Sequence, residues 1–239
     1  MRRIILLCGD HMKFRNPFLE LTAFEIALWA ISATAVTASF LLSSPPDYLT
    51  LTASLIGVSA LIFVAKGMVF GQILTIAFSL FYGIVSYYFG YYGEMITYLC
   101  MSTPAACAAV VSWIKNPYGD TASVKVAEMT PRKFGAVGAL SLVVTVIFYF
   151  LLGALNTENL AVSTLSVTTS VFAASLVFLR SPYYALAYAL NDIVLIVLWI
   201  LATVESLSYL PMVICFVMFL FNDLYAYFNW KRMQRNQAK

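Results

Sequence analysis

The stretch PYYALAYALNDIVLIVLWILATV, residues 182–204, decides the fold. It is apolar from end to end except for a central Asn191-Asp192 pair. A helix needs ~20 such residues to cross the ~30 Å hydrocarbon core of a bilayer. Amides and carboxyls are expensive at that depth, and where they occur they usually line a path or a binding site. A second pair, Asn222-Asp223, lies in another apolar run at about 208–230. Working outward, six more runs qualify, at about 18–42, 48–65, 67–89, 94–114, 132–152 and 160–179. They are continuous rather than short and alternating, so they read as helices and not as barrel strands. The chain is 62% hydrophobic and only 10% charged, against about 25% charged in soluble domains. The fold class is an all-α integral membrane protein of eight transmembrane helices.

Proline and charge support the count. Asn16-Pro17, Thr130-Pro131 and Ser181-Pro182 each read as a cap followed by Pro at the first helical position. Pro45-Pro46 breaks the chain and Asp47 can cap the second helix. Pro117 follows the end of the fourth helix, and Pro104 should kink its interior by removing a backbone bond. With the amino terminus in the cytoplasm, all 14 Lys and Arg fall in the amino-terminal segment, the turns at Lys66 and Arg180, the 115–133 loop or the tail. The opposite loops carry Asp47, Glu158 and Glu205, with Glu94 at a helix mouth, and no base. This positive-inside pattern predicts a multi-pass protein of the bacterial inner membrane with both termini cytoplasmic. It also argues that the net charge of +3 serves topology and not nucleic acid.

Other classes fall away. Ile4 to Cys8 is too short for a signal-peptide core. Cys8, Cys100, Cys107 and Cys215 lack metal or disulfide spacing, and His11 stands alone. No HExxH, GxSxG, P-loop or GxGxxG motif occurs. The reading is a transporter rather than an enzyme, with no cofactor and no metal. An ATP-driven pump in a single chain and an Arg-rich voltage sensor are likewise excluded.

The long loop 116–130 divides the helices, and landmarks recur on either side of it. Lys66-Gly67 opens a helix reaching Tyr91-Tyr92, and the next ends at Trp113-Ile114-Lys115. Arg180-Ser181-Pro182 opens one reaching Ser208-Tyr209, and the next ends at Trp230-Lys231. This predicts parallel repeats at 48–115 and 157–230, a reversing helix at 131–152, and an extra first helix. They form one transporter domain, 18–230, between a lead-in (1–17) and a tail (231–239). Tyr87, Tyr88, Tyr91 and Tyr92 read as an outer aromatic belt. Trp113, Tyr225, Tyr227, Phe228 and Trp230 read as an inner one.

Site candidates cluster on three helices. Gln72, Thr75, Ser79, Tyr82 and Ser86 form one polar face of the third. That face points to a cavity or to interhelical hydrogen bonds. Asn191 lies about 13 Å and Asn222 about 12 Å from the basic end at ~1.5 Å per residue. Tyr184, Tyr188 and Asn191 share a face. Tyr188 stands four residues before Asp192, and Asp223 four before Tyr227, so each Asp has a phenol within reach. No base lies at that depth. The carboxyls are therefore protonated, wetted or offered to a cationic ligand, unless they only tie helices together. Asn191, Asp192 and Asn222 rank ahead of Asp223, which sits nearer the interface.

The segments Gly67-Met-Val-Phe-Gly-Gln72, Tyr91-Tyr-Gly-Glu-Met95 with Trp113, and Ala187-Tyr-Ala-Leu-Asn-Asp-Ile-Val194 with Trp199 carry a family likeness. Over about 55–230 the chain resembles the PnuC family of bacterial nicotinamide riboside transporters. The resemblance implies a SWEET-like three-one-three fold, a homotrimer and no coupling ion. It further implies facilitated diffusion, with cytoplasmic phosphorylation trapping the substrate. The family's Trp-x-x-Trp-x-x-x-Asn pattern in the seventh helix here reads Tyr184, Ala187 and Asn191, and Gln72 follows Phe70-Gly71 where the family has Asn. The expected partners are membrane lipid and a small vitamin substrate. Gln72, Asn191 and Asn222 would hold its ribose or carboxamide, Tyr184 and Tyr188 its ring, and Ser79, Tyr82 and Asp192 would complete the site. Thiamine or riboflavin carriage, a binding subunit of an ATP-driven importer, and a membrane enzyme are the alternatives.

Overall fold

The computed structural model describes residues 16–43, 47–88, 92–119, 121–157 and 159–239. The lead-in with Arg2, Arg3, Cys8, His11, Lys13 and Arg15, the Pro45-Pro46 break, Tyr91 and Glu158 lie outside the described residues. Eight long helices run through the described part. They are α1 (Ala23–Leu42), α2 (Tyr48–Ala65), α3 (Val69–Tyr88) and α4 (Gly93–Ile114), then α5 (Pro131–Ala154), α6 (Leu160–Phe178), α7 (Tyr184–Glu205) and α8 (Leu210–Gln237). Seven of them are long and apolar enough to cross a membrane, and α3, with the polar face, has a shorter apolar stretch.

Local chemistry sets the helix ends. Asp47 Oδ1 caps α2 by accepting from the amides of Leu49 (3.1 Å) and Thr50 (3.0 Å), and Thr130 caps α5 through the amide of Lys133. The first span starts later than expected. Asn16-Pro17 opens only a 3₁₀ turn, Pro17–Glu20. A capping box between Thr22 and Glu25 then starts α1 at Ala23. Pro104 follows a π turn, Thr97–Ser102. With no amide hydrogen at Pro104, the ladder just before it widens and Thr103 bonds back to the carbonyl of Tyr98. The last helix continues through the expected tail to Gln237.

Packing is reciprocal. Helix α3 lies between α2 and α4, and α7 lies between α6 and α8, while α2 meets α8 and α4 meets α6. The ends of α2 and α6 match. Gly67 bonds to the carbonyl of Val64 and Met68 to that of Phe63, with Gly67 at φ +70°. Arg180 bonds to Val177 and Ser181 to Leu176, with Arg180 at φ +58°. Both are Schellman-type ends, and Arg180 takes the left-handed position that glycine usually fills. The indole of Trp230 donates to the Val64 carbonyl at 3.0 Å and that of Trp113 to the Val177 carbonyl at 3.0 Å. Their rings lie 5.4 Å apart. Both tryptophans are fully buried, which corrects their reading as interface anchors. Each ring closes the core with its N–H on a helix-end carbonyl that also accepts from the turn that follows it.

The 115–130 loop laces this end shut. The Val124 amide donates to the Gly67 carbonyl at 2.9 Å and the Ala127 amide to that of Arg180 at 3.0 Å. The Gln237 side chain accepts from the Val126 amide and donates to the Val124 carbonyl.

Helix α1 rests on α2 and α8. Its Glu25 is buried and accepts from Lys66 Nζ at 3.1 Å and from the Tyr225 hydroxyl at 2.6 Å. That buried ion pair escaped the sequence reading, and the Tyr225 hydroxyl is engaged in it. Helix α5 packs on α6 and leaves Leu142, Val146 and Phe150 exposed.

Candidate functional site

The polar face of α3 turns inward. Gln72, Ser79, Tyr82 and Ser86 are all buried, and Thr75 bonds to its own helix at the Gly71 carbonyl. The close fit of α3 on α2 starts from Gly71, where a Cβ would sit 2.4 Å from the Val64 amide nitrogen. Of this face, Tyr82 reaches the cavity described below, and Gln72 and Ser79 do not line it.

The two Asn-Asp pairs meet across α7 and α8, and it is the carboxyls that face each other. Asp192 and Asp223 are both buried and lie within hydrogen-bonding reach of one another. Contact between two carboxylates without a base requires a proton or a cation between them. This brings Asp223 into the centre, although sequence depth alone had ranked it last. The phenol bonds expected from Tyr188 and Tyr227 give way to the carboxyl–carboxyl contact. Tyr188 stands beside both carboxyls, close enough to sense their charge.

The amides point elsewhere. Asn191 Oδ1 accepts from Thr169 Oγ1 at 2.7 Å and Ser170 Oγ at 3.0 Å, so Asn191 ties α7 to α6. Asn222 Nδ2 donates to Ser32 Oγ at 3.0 Å and to the Met218 carbonyl at 2.8 Å, so Asn222 ties α8 to α1. Tyr184 is sealed in the core between Tyr188 and Trp230, with its hydroxyl on the Val64 carbonyl at 3.3 Å. Residues that share a depth in the sequence thus serve different neighbours in space.

A cavity of about 400 Å³ lies between the Asp pair and the acidic end of the bundle, a size usual for small-molecule sites. Its walls include Tyr82, Glu94, Tyr98, Trp199 and Tyr209, and Asn156, Thr157 and Glu205 stand at its rim. The Tyr82 hydroxyl is within hydrogen-bonding reach of Glu94. Tyr98 stands 4.6 Å from Tyr82, ring centre to ring centre, and is close enough to both Glu94 and Asp192 to sense their charges. Glu94, Tyr98 and Trp199 escaped the sequence reading as site residues. The available signal was Glu94 and Tyr98 at i and i+4 on one helix face.

Two unpartnered polar atoms lie on the wall of this cavity, at Glu94 and Trp199. Among the described residues, Glu94 Oε2, Trp199 Nε1, Asp192 Oδ2 and Asn222 Oδ1 are buried without a hydrogen-bond partner, as are Arg180 Nε and Nη1 at the basic end. Buried polar atoms are nearly always paired, so the free Glu94 oxygen and Trp199 N–H on the cavity wall, and the free Asp192 oxygen, are groups that a solute or water can satisfy. This acidic, aromatic route suits a small polar or cationic molecule. The chain matches the family model described as nicotinamide mononucleotide transporter over residues 47–232. The chain belongs to this family, the PnuC transporters. It is 28% identical over 229 residues to the nicotinamide riboside transporter PnuC of Neisseria mucosa (strain ATCC 25996 / DSM 4631 / NCTC 10774 / M26). That match covers 94% of this chain and 87% of the relative. A crystal structure of the vitamin B3 transporter PnuC is similar with a TM-score of 0.78 and 27% identity. It covers 91% of this chain and 94% of the other. This PnuC-family chain is a multi-pass membrane protein, and its relatives are transporters and not enzymes.

Proposed function

We propose that this PnuC-family chain carries nicotinamide riboside across the bacterial inner membrane by facilitated diffusion, with cytoplasmic phosphorylation trapping the product. The observation that carries the substrate is the route from Glu94 to Asp192 and Asp223, lined by tyrosines and Trp199 and free of any Lys or Arg among its described walls. Nicotinamide riboside bears a fixed positive charge on a flat aromatic ring, and such a ring is attracted both to carboxylates and to aromatic faces. Asn191, Asp192, Asn222, Gln72, Ser79, Tyr82, Tyr184 and Tyr188 remain the proposed contacts deeper in the bundle.

The reciprocal packing supports a SWEET-like arrangement with α2–α4 and α6–α8 as parallel repeats, α5 as the linker and α1 as the extra helix. Rocking of one three-helix unit against the other would alternate access. The basic end faces the cytoplasm and is closed by Trp113, Trp230, Tyr184 and the loop through Val124. The cavity sits towards the opposite face. Assembly as a homotrimer in contact with lipid completes the reading.

The test is uptake into proteoliposomes containing only this protein. Labelled nicotinamide riboside should enter down its gradient without ATP or an ion gradient and leave chemically unchanged, with thiamine and riboflavin as competitors. Entry of thiamine or riboflavin alone would reassign the substrate. An absolute need for an ATPase would make the chain a binding subunit.

A further inference from the structure

The Glu94 cavity lies apart from every contact assigned above except Tyr82. Among the described residues, its walls hold two carboxyl groups, Glu94 and Glu205, and no Lys, Arg or His. Glu205 is exposed at the rim, whereas Glu94 Oε2 is buried with no partner. The Tyr82 hydroxyl is directed at the Glu94 carboxyl, so a purely structural role would leave the second oxygen unsatisfied. Around it the rings of Tyr82 and Tyr98 pack at 4.6 Å and those of Trp199 and Tyr209 at 5.7 Å. A buried carboxylate without a partner is costly, and aromatic faces attract flat delocalised cations.

We infer that Glu94, with Tyr82, Tyr98, Trp199 and Tyr209, forms a separate station that selects N-alkylated pyridinium cations before they reach Asp192 and Asp223. The assignment rests on the riboside reading for its natural ligand, but not for its chemistry. A neutral ring of the same shape would fit the cavity and leave Glu94 unpaired, so charge is what the station discriminates. Selectivity for the cation is therefore set at the entrance as well as at the Asp pair.

The test is calorimetry on purified protein with three probes. They are nicotinamide riboside, its neutral C-nucleoside isostere with carbon in place of the ring nitrogen, and the N-methyl pyridinium carboxamide lacking ribose. The wild type should bind the cationic riboside at least about tenfold tighter than the isostere. Glu94→Gln should cut that ratio by at least about threefold while leaving affinity for the isostere unchanged. An unaltered ratio in Glu94→Gln overturns the station and leaves the riboside reading standing. Glu94-dependent binding of the N-methyl cation, with neither riboside bound, keeps the station and overturns the riboside reading. Binding of none of the three by the wild type overturns both. If Glu94→Gln does not purify as a folded protein, Trp199→Leu removes one aromatic wall with the carboxylate intact. It should narrow the same ratio, and an unchanged ratio there overturns the station.

Discussion

Replacing Asp192 with Asn should make the protein more stable and a poorer binder of its cation. Asp192 and Asp223 are buried within hydrogen-bonding reach of each other, and Asp192 Oδ2 has no partner. Two carboxylates about 3 Å apart repel by about 5 kcal/mol at an effective dielectric of about 20. A shared proton or a bound cation relieves most of that. Asn cannot ionise, and its Nδ2 can donate to Asp223, a charge-assisted bond worth about 1.5–3 kcal/mol. The repulsion goes and a bond is gained, so Tm should rise by several degrees. Loss of one carboxylate should weaken binding of the cationic riboside about tenfold, roughly 1.4 kcal/mol, and spare the neutral isostere. Thermal unfolding followed by tryptophan fluorescence gives the first quantity and calorimetry the second. A lower Tm with unchanged affinity would refute the reasoning, showing the pair to be a structural hydrogen bond satisfied by its own proton.

Asn191→Ala should weaken substrate binding while the protein remains folded, since Thr169 and Ser170 lose one acceptor at about 1 kcal/mol; unchanged affinity by calorimetry removes Asn191 from the site. Gly71→Ala should cost at least about 1–3 kcal/mol, because the new Cβ meets backbone 2.4 Å away on α2; an unshifted Tm would rule out that close approach. Trp113→Phe and Trp230→Phe should each lower stability by about 1 kcal/mol through loss of one indole–carbonyl bond. A neutral Trp230→Phe would return that residue to the role of interface anchor.

Much of the architecture is legible in residue order. Long apolar runs can only be satisfied in a bilayer as helices, and the helix borders lie close to their chemical signals at Asp47, Thr130 and Gly67. The inward turn of the α3 face follows from its 3.6-residue spacing. The site was only partly legible. Depth along a helix can be counted from residue numbers, and it put Asn191, Asp192, Asn222 and Asp223 on one level. Direction around the axis against a neighbour cannot be counted. Asn191 therefore faces α6, Asn222 faces α1, and the two carboxyls find each other.

The sequence by itself determined that this is a membrane protein of eight helices, with its bases at the ends and a few acids and amides held inside. Composition and periodicity suffice for that, because the cost of burying each residue type depends on the bilayer rather than on the partner. Only the tertiary structure decided that Glu94, Tyr98 and Trp199, on α4 and α7, share a cavity with Tyr82 of α3. It also decided that Asp192 meets Asp223 and that Trp113 and Trp230 exchange places across the halves. Those pairings join residues far apart in the chain, and their geometry is set by helix rotation and packing, which residue order alone leaves open.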